Sequence, residues 1–334
     1  MLRPDAIGGR RWRYDLSPTT PRLRSSGRPP LPEDDTRMSP SRTKKTAPAG
    51  DLFSAPPGHD DTARRVPPVG GIRVGIGGWT YAPWRDNFYP KGLVQRRELE
   101  YASRELSSIE INGTFYSAQK PATYAKWAAE TPDSFVFSLK APGRITQSGA
   151  LARNIKAAQA FVDGGLAEFG TRLGPILWQL APSRVFDRDD VAAFLDGLPR
   201  ELEGRALRHV LEVRNNSFRD PDYLRLARER KVATVYTDSD EYPSLADVTG
   251  DFVYARLMRS RADVSTGYAD AELDEWAARA RAWAGGGDPA DLPHVGGVGE
   301  AGTRPREVYL YFISAAKARN PAAAMALLQR LGAR

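Results

Sequence analysis

The sequence predicts an α/β protein, a (β/α)8 TIM-like barrel preceded by a disordered N-terminal tail. After residue 70, eight short apolar runs typical of strands recur, and amphipathic segments with helical spacing separate most of them. Eight such units over about 260 residues match the usual length of this barrel. A doubly wound open sheet is the alternative, but the Gly-rich turn GxGxxG that usually follows its first strand is absent.

The predicted elements follow one another in chain order. The strand-like runs are 72–79, 107–115, 134–142, 175–182, 209–216, 232–240, 251–258 and 307–314. The helix-like segments are 93–106, 123–130, 191–198, 223–230, 270–283 and 321–331. Before the last strand, the composition of residues 285–306 predicts a flexible Gly-rich insertion within the barrel domain, which spans 69–334.

The first 68 residues have a different composition from the rest. They hold 12 of the 26 prolines, with 13 Lys and Arg against 8 Asp and Glu. A segment so poor in apolar spacing cannot bury enough surface to offset its ordering entropy, so we expect disorder. Met38 is a candidate alternative translation start. Asp51, Leu52 and Phe53 resemble the end of a sliding-clamp docking peptide, although the upstream Gln of such peptides is absent.

Composition restricts the chemistry and the compartment. There is no cysteine, which excludes disulfides, thiolate nucleophiles and Cys-ligated metals. The chain has neither an apolar run of about 18 residues nor an apolar N-terminal signal segment, so we expect a cytoplasmic protein with no membrane partner. Residues 69–334 carry 35 basic and 33 acidic side chains, and this near balance disfavours nucleic acid as a partner of the barrel.

Strand alternation predicts which side chains point into the barrel. In the second strand Ile109 and Ile111 suit the outer face, which leaves Glu110 and Asn112 on the inner face. The fourth strand has an ambiguous phase, with Gln179 as a candidate. The same test on the other strands predicts further inward side chains at Lys140, Glu212, Arg214, Tyr236, Asp238, Tyr254 and Arg256.

Three acids and three bases therefore converge near the carboxyl ends of the strands, where barrel enzymes carry their sites. We expect catalytic roles for Glu110, Glu212, Asp238 and Lys140, and substrate binding by Asn112, Gln179, Arg214 and Arg256. The three carboxylates would serve acid/base chemistry or bind a divalent metal such as Mg²⁺ or Mn²⁺. A purely structural ion-pair network is the alternative. None of the three histidines is placed at this mouth, which disfavours a zinc site or a Ser-His-Asp triad.

The loop after the first strand is rich in aromatic residues. In GGWTYAPWRDNFYP (77–90), we expect Trp79, Tyr81 and Trp84 to form a stacking wall over the mouth, with Tyr116 as a further substrate contact. The alternative is a plug of rings that pack on neighbouring loops.

Four motifs in order resemble the YecE-like family, also called domain of unknown function seventy-two. They are the 77–90 loop, the stretch from SSIEINGTFYS to KAPGRIT, LGPILWQLAP and LEVRNNSF, and the resemblance covers about residues 72–334. It implies a TIM-like barrel that is loosely described as related to sugar isomerases. The chain departs from the family pattern at Gln147 and Met258, where relatives commonly have His.

The leading functional hypothesis is an enzyme for a sugar-like or phosphorylated polyol substrate that uses carboxylate acid/base chemistry of isomerase or hydrolase type. A small anionic or sugar-like ligand would bind at the barrel mouth. The alternatives are a protein that binds nucleotides or single-stranded nucleic acid, and a catalytically silent scaffold.

Overall fold

The structure is a computed structural model that describes residues 68, 70–299 and 304–333. Eight parallel strands close into a barrel in the order β1-β2-β3-β4-β7-β8-β9-β10, and β10 pairs with β1. The predicted TIM-like barrel is therefore confirmed. The predictions for the tail, including Met38 and the Asp51–Phe53 motif, lie outside the described residues.

Seven of the eight barrel strands lie within a predicted apolar run, and the fourth begins two residues before its run. The strands are β1 Ile72–Gly77, β2 Ser108–Ile111, β3 Val136–Lys140, β4 Leu173–Gln179, β7 His209–Glu212, β8 Ala233–Asp238, β9 Phe252–Leu257 and β10 Glu307–Phe312. Two short strands, β5 Glu201–Leu202 and β6 Arg205–Ala206, form an antiparallel hairpin that the sequence did not predict. Their two-residue turn requires positive φ at Glu203 (48°) and Gly204 (74°).

Helices surround the barrel, and the six predicted ones are all present. The α-helices are α1 Glu98–Glu105, α2 Pro121–Ala129, α3 Gly143–Thr146, α4 Ile155–Asp163, α5 Arg188–Gly197, α6 Pro221–Glu229, α7 Asp270–Ala284 and α8 Asn320–Leu331. Helices α3 and α4 were not predicted, and α3 is too short, at four residues, to show a helical period. No helix in the described part of the chain is both long and apolar enough to cross a membrane.

The apolar core has two layers, which separate the two faces of the barrel strands. The larger layer lies between strands and helices and contains, for example, Ile109, Phe137 and Leu211. The smaller layer fills the barrel interior and contains Val136, Leu177, Val210, Ala233, Val235, Phe252, Tyr254, Tyr309, Tyr311 and Ile313. These memberships agree with the predicted phases of β2, β3, β7 and β9.

The predicted phase of β8 was wrong. Val235 belongs to the interior layer, whereas Tyr236 packs outside the barrel against Trp276 and Trp283 of α7. By alternation, Asp238 also lies on the helix side and not in the barrel interior. The physical reason is size, because the interior next to Tyr254 accepts a small Val and the helix side accepts the larger Tyr ring.

The described part of the predicted insertion packs against the loop after β8. The Ala246 amide donates a hydrogen bond to the Pro293 carbonyl, and the buried Asp247 accepts hydrogen bonds from the amides of Val295 and Gly296, each 2.8 Å long. Residues 293–296 are thus anchored by backbone and carboxylate contacts, which the Gly content alone did not reveal.

Close approach between β1 and β2 requires glycine at position 75. A Cβ atom there would lie 2.7 Å from the carbonyl carbon of Ser108 and closer still to its oxygen, so backbone would have to move. We expect Gly75→Ala to lower the free energy of unfolding by about 3 kcal/mol or more. Gly113→Ala is the control, since a Cβ at Gly113 meets no atom within 4 Å. Urea denaturation measures both, and an unchanged midpoint for Gly75→Ala would contradict this register.

Candidate active site

Arg256 of β9 lies between two carboxylates that come from non-neighbouring strands of the barrel. Its Nη1 donates to Glu212 Oε2 at 2.6 Å. Its Nε and Nη2 donate to the two oxygens of Glu110 at 3.1 and 3.0 Å. All three side chains are buried, with Arg256 only 2% exposed. This triad of Glu110, Arg256 and Glu212 forms the centre of the barrel mouth.

Other donors occupy the remaining positions on the two carboxylates. The Tyr254 hydroxyl donates to Glu110 Oε2 at 2.7 Å, Gln179 Nε2 donates to Glu212 Oε2 at 2.8 Å, and Arg214 Nε donates to Glu212 Oε1 at 2.7 Å. A buried ion pair is tolerated only when such hydrogen bonds replace the lost hydration. The arrangement brings together Glu110, Gln179, Glu212, Arg214 and Arg256 as the sequence predicted.

The electrostatics keep Glu212 ionised. Burial alone would raise its pKa, but the charges of Arg256 and Arg214 and the hydrogen bond from Gln179 outweigh burial and lower the pKa to about 2. The two carboxylates in turn raise the pKa of Arg256 above its ordinary value, although burial acts in the opposite direction. Both partners of this ion pair are therefore charged at neutral pH.

Lys140 is the one basic side chain of this site without an acceptor. It is 9% exposed, and it forms no hydrogen bond or ion pair with another described residue. Its Nζ lies 4.0 Å from the centroid of the Phe115 ring. Burial and the nearby Arg256 charge lower the pKa of Lys140 to about 8, while Glu212 and Glu110 oppose this shift. Lys140 therefore titrates closer to neutral pH than an ordinary lysine.

Arg214 presents a flat face at the rim of the mouth. Its guanidinium carbon lies 4.1 Å from the centroid of Tyr242, and its side chain is 17% exposed. The Tyr242 ring and the Glu212 carboxylate together fix the orientation of Arg214. Sequence reasoning missed Tyr242 because it follows β8 in a loop, where strand alternation gives no signal.

Asp238 does not join the triad. It is buried on the helix side of β8, 3.4 Å from Arg259 Nε, and burial raises its pKa to about 6 despite the opposing charge of Arg259. The three carboxylates predicted as metal ligands therefore do not converge. In the described residues, no group of three or more His, Asp or Glu side chains is placed to hold a metal ion. A divalent metal stays a prediction.

The aromatic loop is a packed plug. Trp84 is completely buried, and its Nε1 donates to the Lys317 carbonyl at 2.9 Å, so its predicted place in a stacking wall was wrong. Trp79 packs edge-on against Trp127 of α2 at 4.9 Å. Tyr81 is half-buried, and Lys317 Nζ lies 4.5 Å from its ring centroid. Rings that already bury one another have little free face for a ligand.

The remaining predicted contacts lie near the mouth without joining the triad. Tyr116 is 85% exposed and packs on Phe115, and the Asn112 amide lies 3.5 Å from the Glu110 carbonyl. Gln147, where the family resemblance led to an expected His, donates through Nε2 to the Gln179 carbonyl at 2.6 Å. The amide of Gln147 thus bonds to backbone and does not contact the triad.

Comparison with known proteins gives the family of this barrel but no activity. Residues 73–334 match a family model described as "Protein of unknown function DUF72". A relative, the UPF0759 protein YunF of Bacillus subtilis (strain 168), is 31% identical over 70 residues, which is 21% of this chain and 24% of that protein. The alignment thus spans only about a quarter of this relative.

Two solved structures share the fold. A DUF72 family protein from Thermotoga maritima MSB8 is 18% identical, with a TM-score of 0.56 over 77% of this chain and 96% of its own. A DUF72 family protein from Enterococcus faecalis V583 is also 18% identical, with a TM-score of 0.54 over 78% of this chain and 94% of its own. At this identity the likeness shows the fold alone.

Removing the central cation should destabilise the barrel strongly. We expect Arg256→Met to lower the free energy of unfolding by about 3–5 kcal/mol, because the buried Glu110 loses its ion-pair partner and the buried Glu212 keeps only Arg214. Adding Glu110→Gln and Glu212→Gln should restore part of this loss. Arg225→Met is the control, since Arg225 is 57% exposed in surface pairs worth about 0–1 kcal/mol. Denaturant unfolding at neutral pH measures all three proteins, and a loss in Arg256→Met as small as the control would contradict the triad.

Removing the Lys140 amine should have the opposite effect on stability. Its folded-state pKa of about 8 lies below the ordinary lysine value of 10.5, so the charged amine lowers the stability of the folded protein below pH 8, and this loss disappears as the pH rises towards 10.5. We expect Lys140→Met to be more stable than the native chain at pH 7, by on the order of 2 kcal/mol. This difference should shrink between pH 8 and pH 10.5. Thermal unfolding across that range measures it, and a destabilised Lys140→Met at pH 7 would show that Lys140 is a stabilising ion-pair partner.

Proposed function

The chain belongs to the DUF72 family of proteins of unknown function, and we propose that its barrel mouth is the active site of an isomerase-type enzyme. The substrate would be a small anionic, sugar-like molecule with a carbonyl group, such as a sugar phosphate. The observation that carries this proposal is Lys140, a buried amine with no acceptor among the described residues beside a charge network that is otherwise fully paired.

The charge of the site supports an anionic ligand. Three basic side chains, Lys140, Arg214 and Arg256, face two acidic ones, Glu110 and Glu212, so the cluster is positive while Lys140 is protonated. Arg256 donates hydrogen bonds to the Glu110 and Glu212 carboxylates. Arg214 uses its Nε for Glu212, and its remaining N–H groups suit a phosphate or carboxylate group at the rim.

Lys140 is the group best suited to transfer a proton. With a pKa of about 8, on the order of one amine in ten is neutral at pH 7, far more than for an unperturbed lysine. A neutral amine removes a proton from the hydroxyl-bearing carbon next to a carbonyl, which leaves an enediolate, and returns it to the former carbonyl carbon, while the hydroxyl proton moves to the former carbonyl oxygen through solvent. The nearby guanidinium groups would stabilise the negative charge that develops on the carbonyl oxygen.

The carboxylates are less suited to this role than the sequence suggested. Glu212 has a pKa of about 2, and its oxygens accept hydrogen bonds from Gln179, Arg214 and Arg256. A carboxylate held in this way is a weak base and does not supply the protonated acid that glycoside hydrolysis requires. We therefore favour an isomerase over a hydrolase, with Glu110 and Glu212 as positioning residues for Arg256 and Arg214.

Proton exchange with solvent tests this function directly. The full chain would be incubated in D2O with glyceraldehyde 3-phosphate, ribulose 5-phosphate and fructose 6-phosphate, and deuterium at the carbon next to the carbonyl would be followed by NMR. We expect exchange with at least one of these compounds, with a rate that rises with pH around 8. Lys140→Met should lose at least about 100-fold in rate, the usual share of a general base.

Lys126→Met is the matched control, since Lys126 is 67% exposed on α2 and pairs only with the neighbouring Glu130 among the described residues. Its exchange rate should equal that of the native chain. Exchange with none of the three compounds would contradict the proposed substrate class. Exchange that survives Lys140→Met would contradict the assignment of the base.

A further inference from the structure

A cavity of about 290 Å³ opens at the amino ends of the barrel strands, opposite the mouth. The first residues of β1, β3, β4 and β10 form its floor, and the β5–β6 hairpin forms one wall. We propose that this cavity is a second ligand site, which binds a small dianion such as a phosphate monoester or a dicarboxylate. The proposal is independent of the function proposed for the mouth.

Three arginines line the cavity, and one of them is already neutralised. Arg208 forms an ion pair with Glu307 and donates to the Tyr309 hydroxyl at 2.7 Å. These contacts hold Arg208 in place, and they bind the Glu307 carboxylate to it. Glu307 also lies 3.9 Å from Arg73 Nε, so this one carboxylate faces two arginines, and Arg205 has no carboxylate partner among the described residues.

Arg73 and Arg205 have N–H groups that donate no hydrogen bond to another described residue. Arg73 donates from Nη1 to the Ser134 carbonyl at 2.8 Å, but its Nε is buried without a hydrogen-bond partner and lies 3.9 Å from Glu307. Arg205 forms no hydrogen bond or ion pair with a described residue. Two guanidinium groups with open donor edges suit a ligand with two anionic oxygens.

The backbone around Arg205 is set by residues with positive φ. The hairpin turn at Glu203 and Gly204 holds Arg205 at the start of β6. Gly170 has a φ of +54°, and a Cβ there would lie 3.6 Å from Arg205 Nη1. The guanidinium therefore lies next to bare backbone, where a side chain would take up part of the space of the ligand.

The volume of the cavity and the charges around it restrict the class of ligand further. A volume near 300 Å³ is the lower limit for small-molecule sites, so the ligand is a small metabolite and not a polymer. Glu203 also lines the cavity, exposed at the tip of the hairpin, and its charge opposes an anion. Removing that charge should strengthen binding, an effect that a purely structural arginine cluster would not produce.

Isothermal titration of the full chain at about 150 mM NaCl, where weak surface attraction is screened, tests the site. The probes are glycerol 3-phosphate, inorganic phosphate and malonate. We expect saturable binding of at least one probe, weakened at least tenfold by Arg205→Ala and strengthened severalfold by Glu203→Gln. Glycerol 3-phosphate or phosphate binding identifies a phosphate site, and binding of malonate alone identifies a dicarboxylate site.

Two further variants locate the binding. Arg225→Ala, on the surface of α6, should leave the affinity unchanged, and so should Lys140→Met at the opposite end of the barrel. No saturable binding of any probe would overturn the proposal, as would an affinity that Arg205→Ala leaves intact. Binding lost in Lys140→Met but kept in Arg205→Ala would place the anion at the mouth and would also overturn it. Failure of proton exchange at the mouth has no bearing on this result.

Discussion

One buried cation organises the mouth of this barrel. Arg256 reaches from β9 to carboxylates on β2 and β7, and it donates hydrogen bonds to both. Without it, Glu110 would lose the one cation that donates to it among the described residues, and Glu212 would keep only Arg214; a buried charge left without its partner costs several kcal/mol. The hydrogen bonds from Tyr254, Gln179 and Arg214 then complete both carboxylates.

The same constraint explains why Lys140 differs from its neighbours. Arg256 and Arg214 bind the carboxylate oxygens, whereas the lysine amine forms no hydrogen bond with a described residue, and burial together with the adjacent positive charge of Arg256 disfavours its protonated form. The contacts of Glu110, Arg256 and Glu212 fit an ion-pair network, and the active-site role that we propose rests on Lys140.

Much of the fold was predictable, because each strand combines an apolar outer face with a distinct inner face. In β2, β3, β7 and β9 the alternation gave the inward acids and bases correctly, including Glu110 and Arg256. It failed in β8, where Ala, Val and Thr alternate with Thr, Tyr and Asp and both faces carry mixed polarity. The large ring of Tyr236 packs outside the barrel against Trp276 and Trp283. Because side chains alternate along a strand, Asp238 lies on the same outer face.

The contacts made by loop residues were harder to predict from the sequence than those made by strand residues. The aromatic composition around Trp84 predicted a stacking surface for a ligand, but composition does not reveal whether rings pack on one another or on a ligand. Tyr242 and Phe115 contact the charged cluster from loops, and the cavity at the amino ends depends on a hairpin of two-residue strands. These contacts join residues far apart in the sequence, so periodicity carries no signal for them.

The most direct test is the titration of Lys140 itself. Lysines labelled with ¹³C at Cε would be followed by NMR from pH 6 to pH 11, with the Lys140 signal assigned by its absence in Lys140→Met. The structure predicts a midpoint of about 8 for Lys140, below the ordinary value of 10.5 for a lysine. A midpoint at or above the ordinary 10.5 would contradict the account, because it would mean that the amine is paired with the carboxylates that Arg256 is inferred to hold.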